Sequence, residues 1–299
     1  MEYARRLAPG QRCRVIVADT LRGTRETIHE SSSLLLEAPN WTHDDQLVLN
    51  GDGVLWMLAL EPGSTPRQIP LAGIPELNND HVLAPDGTTI YLSANDWQIY
   101  AASLSGGAAR RITPDHDGRM HFLHGVSPDG ATLAYIGIDP GGDVPWASAS
   151  VHLMAVDGTA DRRIDEAGSP ADGSEFSPDG SWIYFNTELF SSAPGHAQLA
   201  RMRPTGSGVE QLTFDARVNW FPHLSPDGRR LVYLSFPTGT EGHPADLPVE
   251  LRLVRDDDWR STETVASLIG GQGTLNVNSW SPDGTRFAYV DYPRDRGSV

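Results

Sequence analysis

The chain has 299 residues, 39% of them hydrophobic, with 30 Gly and 22 Pro, which is enough apolar material for a sizeable core and enough turn-forming residues for an all-β protein. It carries 23 basic against 39 acidic residues, a formal charge of −16. That is the wrong sign for a phosphate backbone or an anionic lipid surface, so neither nucleic acid nor membrane is expected as a partner.

The first ten residues lack the apolar stretch of a signal peptide, and no run of 18 apolar residues occurs, so the cytoplasm is the expected compartment. Cys13 is the single cysteine and rules out an intrachain disulfide framework. The runs 13–18 and 26–28 read as two strands. After them a tetrapeptide recurs. It is worn at Thr42-His43-Asp44-Asp45 and nearly intact at Ala84-Pro85-Asp86-Gly87. It is intact as Ser-Pro-Asp-Gly from Ser127, Ser177, Ser225 and Ser281. First residue to first residue, the spacings are 42, 43, 50, 48 and 56, the size of one blade of a β-propeller. Pro presets φ, Asp bonds its local backbone and Gly supplies positive φ, so each copy is a tight turn between antiparallel strands. One apolar residue precedes each copy (Trp41, Leu83, Val126, Phe176, Leu224, Trp280), and a β-branched or aromatic run follows five of them.

The expected fold is therefore a six-bladed β-propeller of four-stranded antiparallel blades, one domain over residues 1–299. Blade one takes 33–41, 46–50, 54–60 and 67–70. Blade two takes 77–83, 89–93, 97–104 and 109–112, and blade three 120–126, 132–137, 150–156 and 161–164. Blade four takes 173–176, 182–187, 198–203 and 209–212, and blade five 218–224, 231–235, 249–255 and 262–268. Blade six has only 274–280 and 286–291 of its own, and the two N-terminal strands complete it, which removes the open edge.

In this topology the repeated turns share one face, and the second-to-third-strand and blade-to-blade loops emerge on the other. The unusual loops at 138–146, 188–196, 236–248 and 270–273 all fall on that second face, where a ligand site is expected at the channel mouth. Polar residues crowd the innermost strands: Asn40, Asp80, His81, His121, His124, Glu175, Asn219, His223, Asn276 and Asn278. Imidazoles from three blades can bind a divalent metal or serve as acid and base, and channel-lining polar groups can equally be plain solvated surface. His121 and His124 are three apart, so both can face one ligand only across a bulge.

Other signals have a structural reading. Gly270-Gly271-Gln272-Gly273 is followed by neither Lys-Ser/Thr nor a helix, and reads as a blade-to-blade turn. The acidic runs at 115–118 and 256–258 do not continue into an EF-hand pattern and read as solvated turns. No Gly-x-Ser-x-Gly elbow occurs. Trp97 and Trp259 are expected as packing between blades. Trp146 and Trp220 lie at the mouth, where an indole can stack on a sugar ring or pack between blades, and Arg217 there can clamp a carboxylate or be a plain surface side chain.

The arrangement apolar–Ser-Pro-Asp-Gly–strand resembles the repeat of TolB-like β-propellers and covers essentially the whole chain. The sequence shows neither the export signal nor the additional N-terminal domain of TolB, so the resemblance implies no translocation role. Within that group it is similar to the intracellular oligogalacturonate lyases, which hold manganese on histidines and a glutamine and cleave uronate sugars by β-elimination. That resemblance implies a metal-assisted lyase acting on an acidic or oxidised sugar, with His81, His124 and His223 as ligands or base and Gln272 as fourth ligand. Asn40, Glu175, Arg217, Asn219, Trp220 and Asn278 are the candidate substrate contacts. The lyases' metal motif, Gln followed by His at +3 and +5, has no counterpart here. The reading from a different class is a non-catalytic propeller that binds a protein, peptide or small ligand on its long-loop face.

Overall fold

The structure is a computed structural model that describes residues 5–114, 118–141, 145–165 and 169–294. The acidic run at 115–117, residues 142–144 of the first long loop and the end of the tail from 295 lie outside the described residues.

Two N-terminal strands come first, β1 (Cys13–Asp19) and β2 (Thr24–Ser31). Blade one is β3 (Glu37–Trp41), β4 (Gln46–Gly51), β5 (Val54–Ala59) and β6 (Arg67–Ile69), followed by the short β7 (Leu71–Ala72). Blade two is β8 (Leu77–Leu83), β9 (Thr89–Ala94), β10 (Ile99–Ser103) and β12 (Arg110–Arg111), with β11 (Gly107–Ala108) paired in parallel to β7. Blade three is β13 (Met120–Val126), β14 (Thr132–Ile138), β15 (Ser150–Ala155) and β16 (Arg162–Arg163), with one 3₁₀ turn at Pro145–Ser148. Blade four is β17 (Ala171–Phe176), β18 (Ile183–Thr187), β19 (Gln198–Met202) and β20 (Glu210–Gln211). Blade five is β21 (Val218–Leu224), β22 (Arg230–Phe236), β23 (Leu247–Arg255) and β24 (Glu263–Gly270), and β25 (Arg286–Asp291) ends the series. The fold is a six-bladed all-β propeller. None of the described helices is long and apolar enough to cross a membrane.

The chain ends close the ring as expected. β1 lies between β2 and β25, antiparallel to both, with Arg14 opposite Asp291 and its guanidinium donating to that carboxylate. The fourth position of this blade differs from the expectation: 274–280 lines the channel but is not a regular strand. Its own side chains compete for the backbone, since Thr274 Oγ1 accepts from the Gly271 N–H and Asn276 Oδ1 from the Gly273 N–H. It still docks on β25, because Ala288 N–H donates to Ser279 O and Val290 N–H to Thr274 O.

The turns show why the motif repeats. In each intact copy the Ser hydroxyl donates to the Asp carboxylate, at 2.5 to 2.6 Å, and accepts an N–H of the following strand. The worn copy rebuilds the same turn: Thr42 donates to Asp44 at 2.6 Å, and Asp45 takes the glycine's conformation at φ 57°.

Between neighbouring blades lie six apolar clusters, one at each junction around the ring. Strand alternation feeds them. In β22, Leu231 and Tyr233 enter the junction with blade four, and Val232, Leu234 and Phe236 the junction with blade six. That is why the central residues of the second strands are apolar on both faces.

Candidate functional site

Each of the five regular inner strands carries a register shift: between Glu37 and Asn40, Leu77 and His81, Leu123 and Gly125, Asp172 and Glu175, and Trp220 and His223. A bulge re-aims side chains by adding an unpaired residue. In blades one, four and five that residue has positive φ: Ala38 at 51°, Gly173 at 66° and Phe221 at 56°. Positive φ in a bulky aromatic costs about 1–3 kcal/mol and needs support from its surroundings. Phe221 is fully buried, and its N–H donates to Asn186 Oδ1. Glycine is required at the matching position of blade four, where a Cβ would lie 2.9 Å from that same Asn186 oxygen.

The bulges divide the channel-lining groups into two levels. Towards the turn face runs a hydrogen-bonded belt. His81 Nδ1 pairs with Asn40 Oδ1 at 2.7 Å, and the Asn40 amide donates to Asn278 O at 2.8 Å. The Asn278 amide donates to Glu175 Oε1 at 2.8 Å, and Glu175 Oε2 pairs with His223 Nδ1 at 2.6 Å. His223 Nε2 reaches Leu275 O. Burial pushes His81 down to about 3, so it is a neutral imidazole.

Towards the long-loop face opens a cavity of about 360 Å³. Its apolar lining comes from Leu77, Trp97, Phe122, Ile136, Ile138, Trp146 and Phe221. Its polar lining includes Glu37, Asp80, Asp172, His124, His243 and Gln272, and the two sets meet where the Phe221 ring packs against His124 and His243. His124 Nε2 meets Asp172 Oδ1 at 2.7 Å, and His243 Nε2 lies 3.6 Å from Asp172 Oδ2. Burial works against a charged His124, but Asp172 and Asp80 outweigh it and raise the imidazole to about 9. Burial raises Asp80 to about 7, and neighbouring Asp172 and Glu37 add to this against the pull of His124. Arg5 enters from the N-terminal segment. It pairs with Glu37 at 2.8 Å and Asp246 at 3.2 Å, and its guanidinium lies 4.6 Å from the centre of the Tyr292 ring.

No family model matches the sequence. An uncharacterised protein of Agrobacterium fabrum is 39% identical over 263 residues, covering 86% of this chain and 85% of that one. The structure of a proposed TolB from Agrobacterium tumefaciens superposes with a TM-score of 0.85 at 34% identity, over 95% of this chain and 99% of that one. The chain belongs to the TolB-like propeller family. A manganese complex of an oligogalacturonate lyase shares the fold, with a TM-score of 0.58 at 13% identity over 95% of this chain and 78% of that one.

In this TolB-like propeller the four candidate metal ligands read from the sequence, His81, His124, His223 and Gln272, are engaged separately. His81 and His223 are held in the belt, while His124 is tied to Asp172 and Gln272 bonds Asn79 and Asn276. Among the described residues no group of three His, Cys, Asp or Glu side chains is arranged to hold a metal ion. Asn40, Glu175 and Asn278 line a basin of about 380 Å³ on the turn face instead of the mouth. Arg217 is held by Ser235 and Glu250, and Asn219 by Ser235 and Asp215. Trp220 is 1% exposed and stacks behind Trp146, at 5.8 Å between ring centres. Blade three does bulge at His124, yet His121 faces elsewhere, with Nδ1 on Trp97 O and its ring beside Tyr135.

Three of the four long loops reach the mouth, through Ile138 and Trp146, His243, and Gln272. Sequence reasoning missed Glu37, Asp172, His243 and Arg5 as cavity groups and assigned Trp97 to packing. Glu37 and Asp172 were within reach. Each stands six residues before the Pro position of its turn and directly before the positive-φ bulge residue.

Proposed function

We propose that this TolB-like propeller binds a small molecule in the long-loop mouth. The observation that carries the reading is the cavity itself: aromatic rings and buried, ion-paired polar groups line one space, at a size within the range of small-ligand pockets. Charged groups held in place by one another before a ligand arrives keep the cost of ordering them low. Manganese-dependent elimination is not supported by the donor set, because two of the three nominated histidines serve the belt. An acidic sugar fits less well than a neutral one, since Glu37, Asp52, Asp80 and Asp172 face the cavity against Arg5 and His124.

The test is a ligand-observed NMR screen of a fragment library, with neutral sugars and uronates included, on the wild type and on Trp146→Ala. The expected outcome is hits that weaken by about fivefold or more in the variant, with uronates binding less well than the matching neutral sugars. Hits indifferent to Trp146→Ala would place binding elsewhere, and an empty screen would sink the reading.

A further inference from the structure

The ionisable groups around the mouth do not balance. Arg5 is engaged by Glu37 and Asp246, and by the Gln272 carbonyl. His124 is engaged by Asp172, and burial lowers His243 towards its neutral form. Among the described residues Asp80 has no cationic side chain within ion-pair distance, although it is buried and lines the cavity. Cavity-lining residues also hold buried polar atoms with no hydrogen-bond partner among the described residues: the acceptor Asn50 Oδ1, on a side chain only 4% exposed, and the amide donors of Asn78 and Asn95. A ligand that both donates and accepts answers them. The chain already places one cation of its own here, since the Arg5 guanidinium sits between a carboxylate and an aromatic face. The same cavity is lined by the aromatic rings of Trp97, Phe122, Trp146 and Phe221.

Resting on the small-molecule reading above, we propose that the ligand is a primary ammonium compound with an aromatic or branched apolar body. Its ammonium sits at Asp80 and its body lies against the tryptophan rings. An ammonium supplies the contact ion pair that Asp80 lacks, His124 acting on it only from beyond ion-pair distance, and N–H donors for neighbouring acceptors, and the aromatic faces attract the cation as well as the body. A free amine and the N-terminus of a peptide share this chemistry. The groups facing Asp80 are His124 on β13, Asp172 on β17, Glu37 on β3 and Asn276 on the irregular segment of blade six. Because Asp80 titrates near 7 in the free protein, the ammonium meets a partly protonated carboxyl at neutral pH. Affinity therefore falls as the pH drops below that value.

The experiment is calorimetric titration at pH 8 with 2-phenylethylamine, 2-phenylethanol and 3-phenylpropanoate, on the wild type and on Asp80→Asn. The amine is expected to bind roughly 10- to 100-fold more tightly than the alcohol, with the carboxylate weakest. In Asp80→Asn that gap closes while the alcohol's affinity is unchanged, which shows that the fold and the cavity are intact. Phenylalanylglycinamide separates the sources: tighter binding than the amine assigns a peptide N-terminus, weaker binding a free amine. Equal binding of amine and alcohol, or a gap that survives Asp80→Asn, overturns the cation and leaves the mouth as a neutral-ligand site. Failure of all probes together with an empty fragment screen removes both readings.

Discussion

Residue chemistry at the channel is governed by burial, which makes a histidine's role depend on its partner. His81, whose ring reaches only an amide, is pushed towards neutrality, whereas His124 is held protonated by the carboxylate it touches. The sign of the pH dependence follows. The folded-state value of His124, about 9, lies above its ordinary 6.5, so its contribution to stability is complete below 6.5 and is lost as pH rises towards 9. Denaturant unfolding of the wild type is expected to lose up to about 1.4 kcal/mol per pH unit inside that window. The pair His124→Gln with Asp172→Asn keeps similar shapes without charge and should flatten the slope. His124→Leu alone strands Asp172 and should cost about 3–5 kcal/mol. A wild-type profile that is flat from pH 6.5 to 9 would remove the buried ion pair from the account.

At the level of the element, the repeat is more than its turn. The outer hairpin glycine of three blades packs on the carbonyl that ends the outer sheet edge of the preceding blade. Gly106 meets Pro70 O, Gly158 meets Ile112 O, and Gly206 meets Ile164 O. At Gly206 a Cβ would fall 2.0 Å from that oxygen, with φ at 86°, so both sterics and backbone conformation exclude a side chain. Gly206→Ala should lower stability by roughly 1–3 kcal/mol through displacement of one blade against the next. An unchanged melting temperature would show that the contact is dispensable. The blades themselves were legible because the turn chemistry and the apolar second strands recur. The irregular 274–280 was not, since competition between Thr274 and Asn276 side chains and the ladder depends on where Gly271 and Gly273 are held.

For the whole molecule, closure is the cooperative step. β1 and β2 supply Ile16 and Ala18 to one blade junction and Cys13, Val15, Val17 and Ile28 to the next. A chain lacking residues 1–31 loses both contributions and exposes the edge of β25. It is expected to aggregate or self-associate on size-exclusion chromatography, and added 1–31 segment should restore a monomer. A truncated chain that stays monomeric with the wild-type melting temperature would contradict closure by the N-terminal strands.

The sequence by itself determined the six blades, the pairing of the two chain ends and the face on which the loops gather. These follow from local turn chemistry and from alternation along single strands, both written in neighbouring residues. Only the tertiary structure decided the roles of the channel groups. Bulges of one extra residue, or two in blade two, rotate side chains between two levels of the axis, sending His81, Asn40, Glu175 and His223 into the belt, where Asn278 of the irregular segment joins them, and Glu37, Asp80, Asp172 and His124 to the mouth. His243 and Arg5 join that mouth from loops far away in the chain. The charge each group carries depends on what the ring brings against it, and no spacing along the chain encodes that.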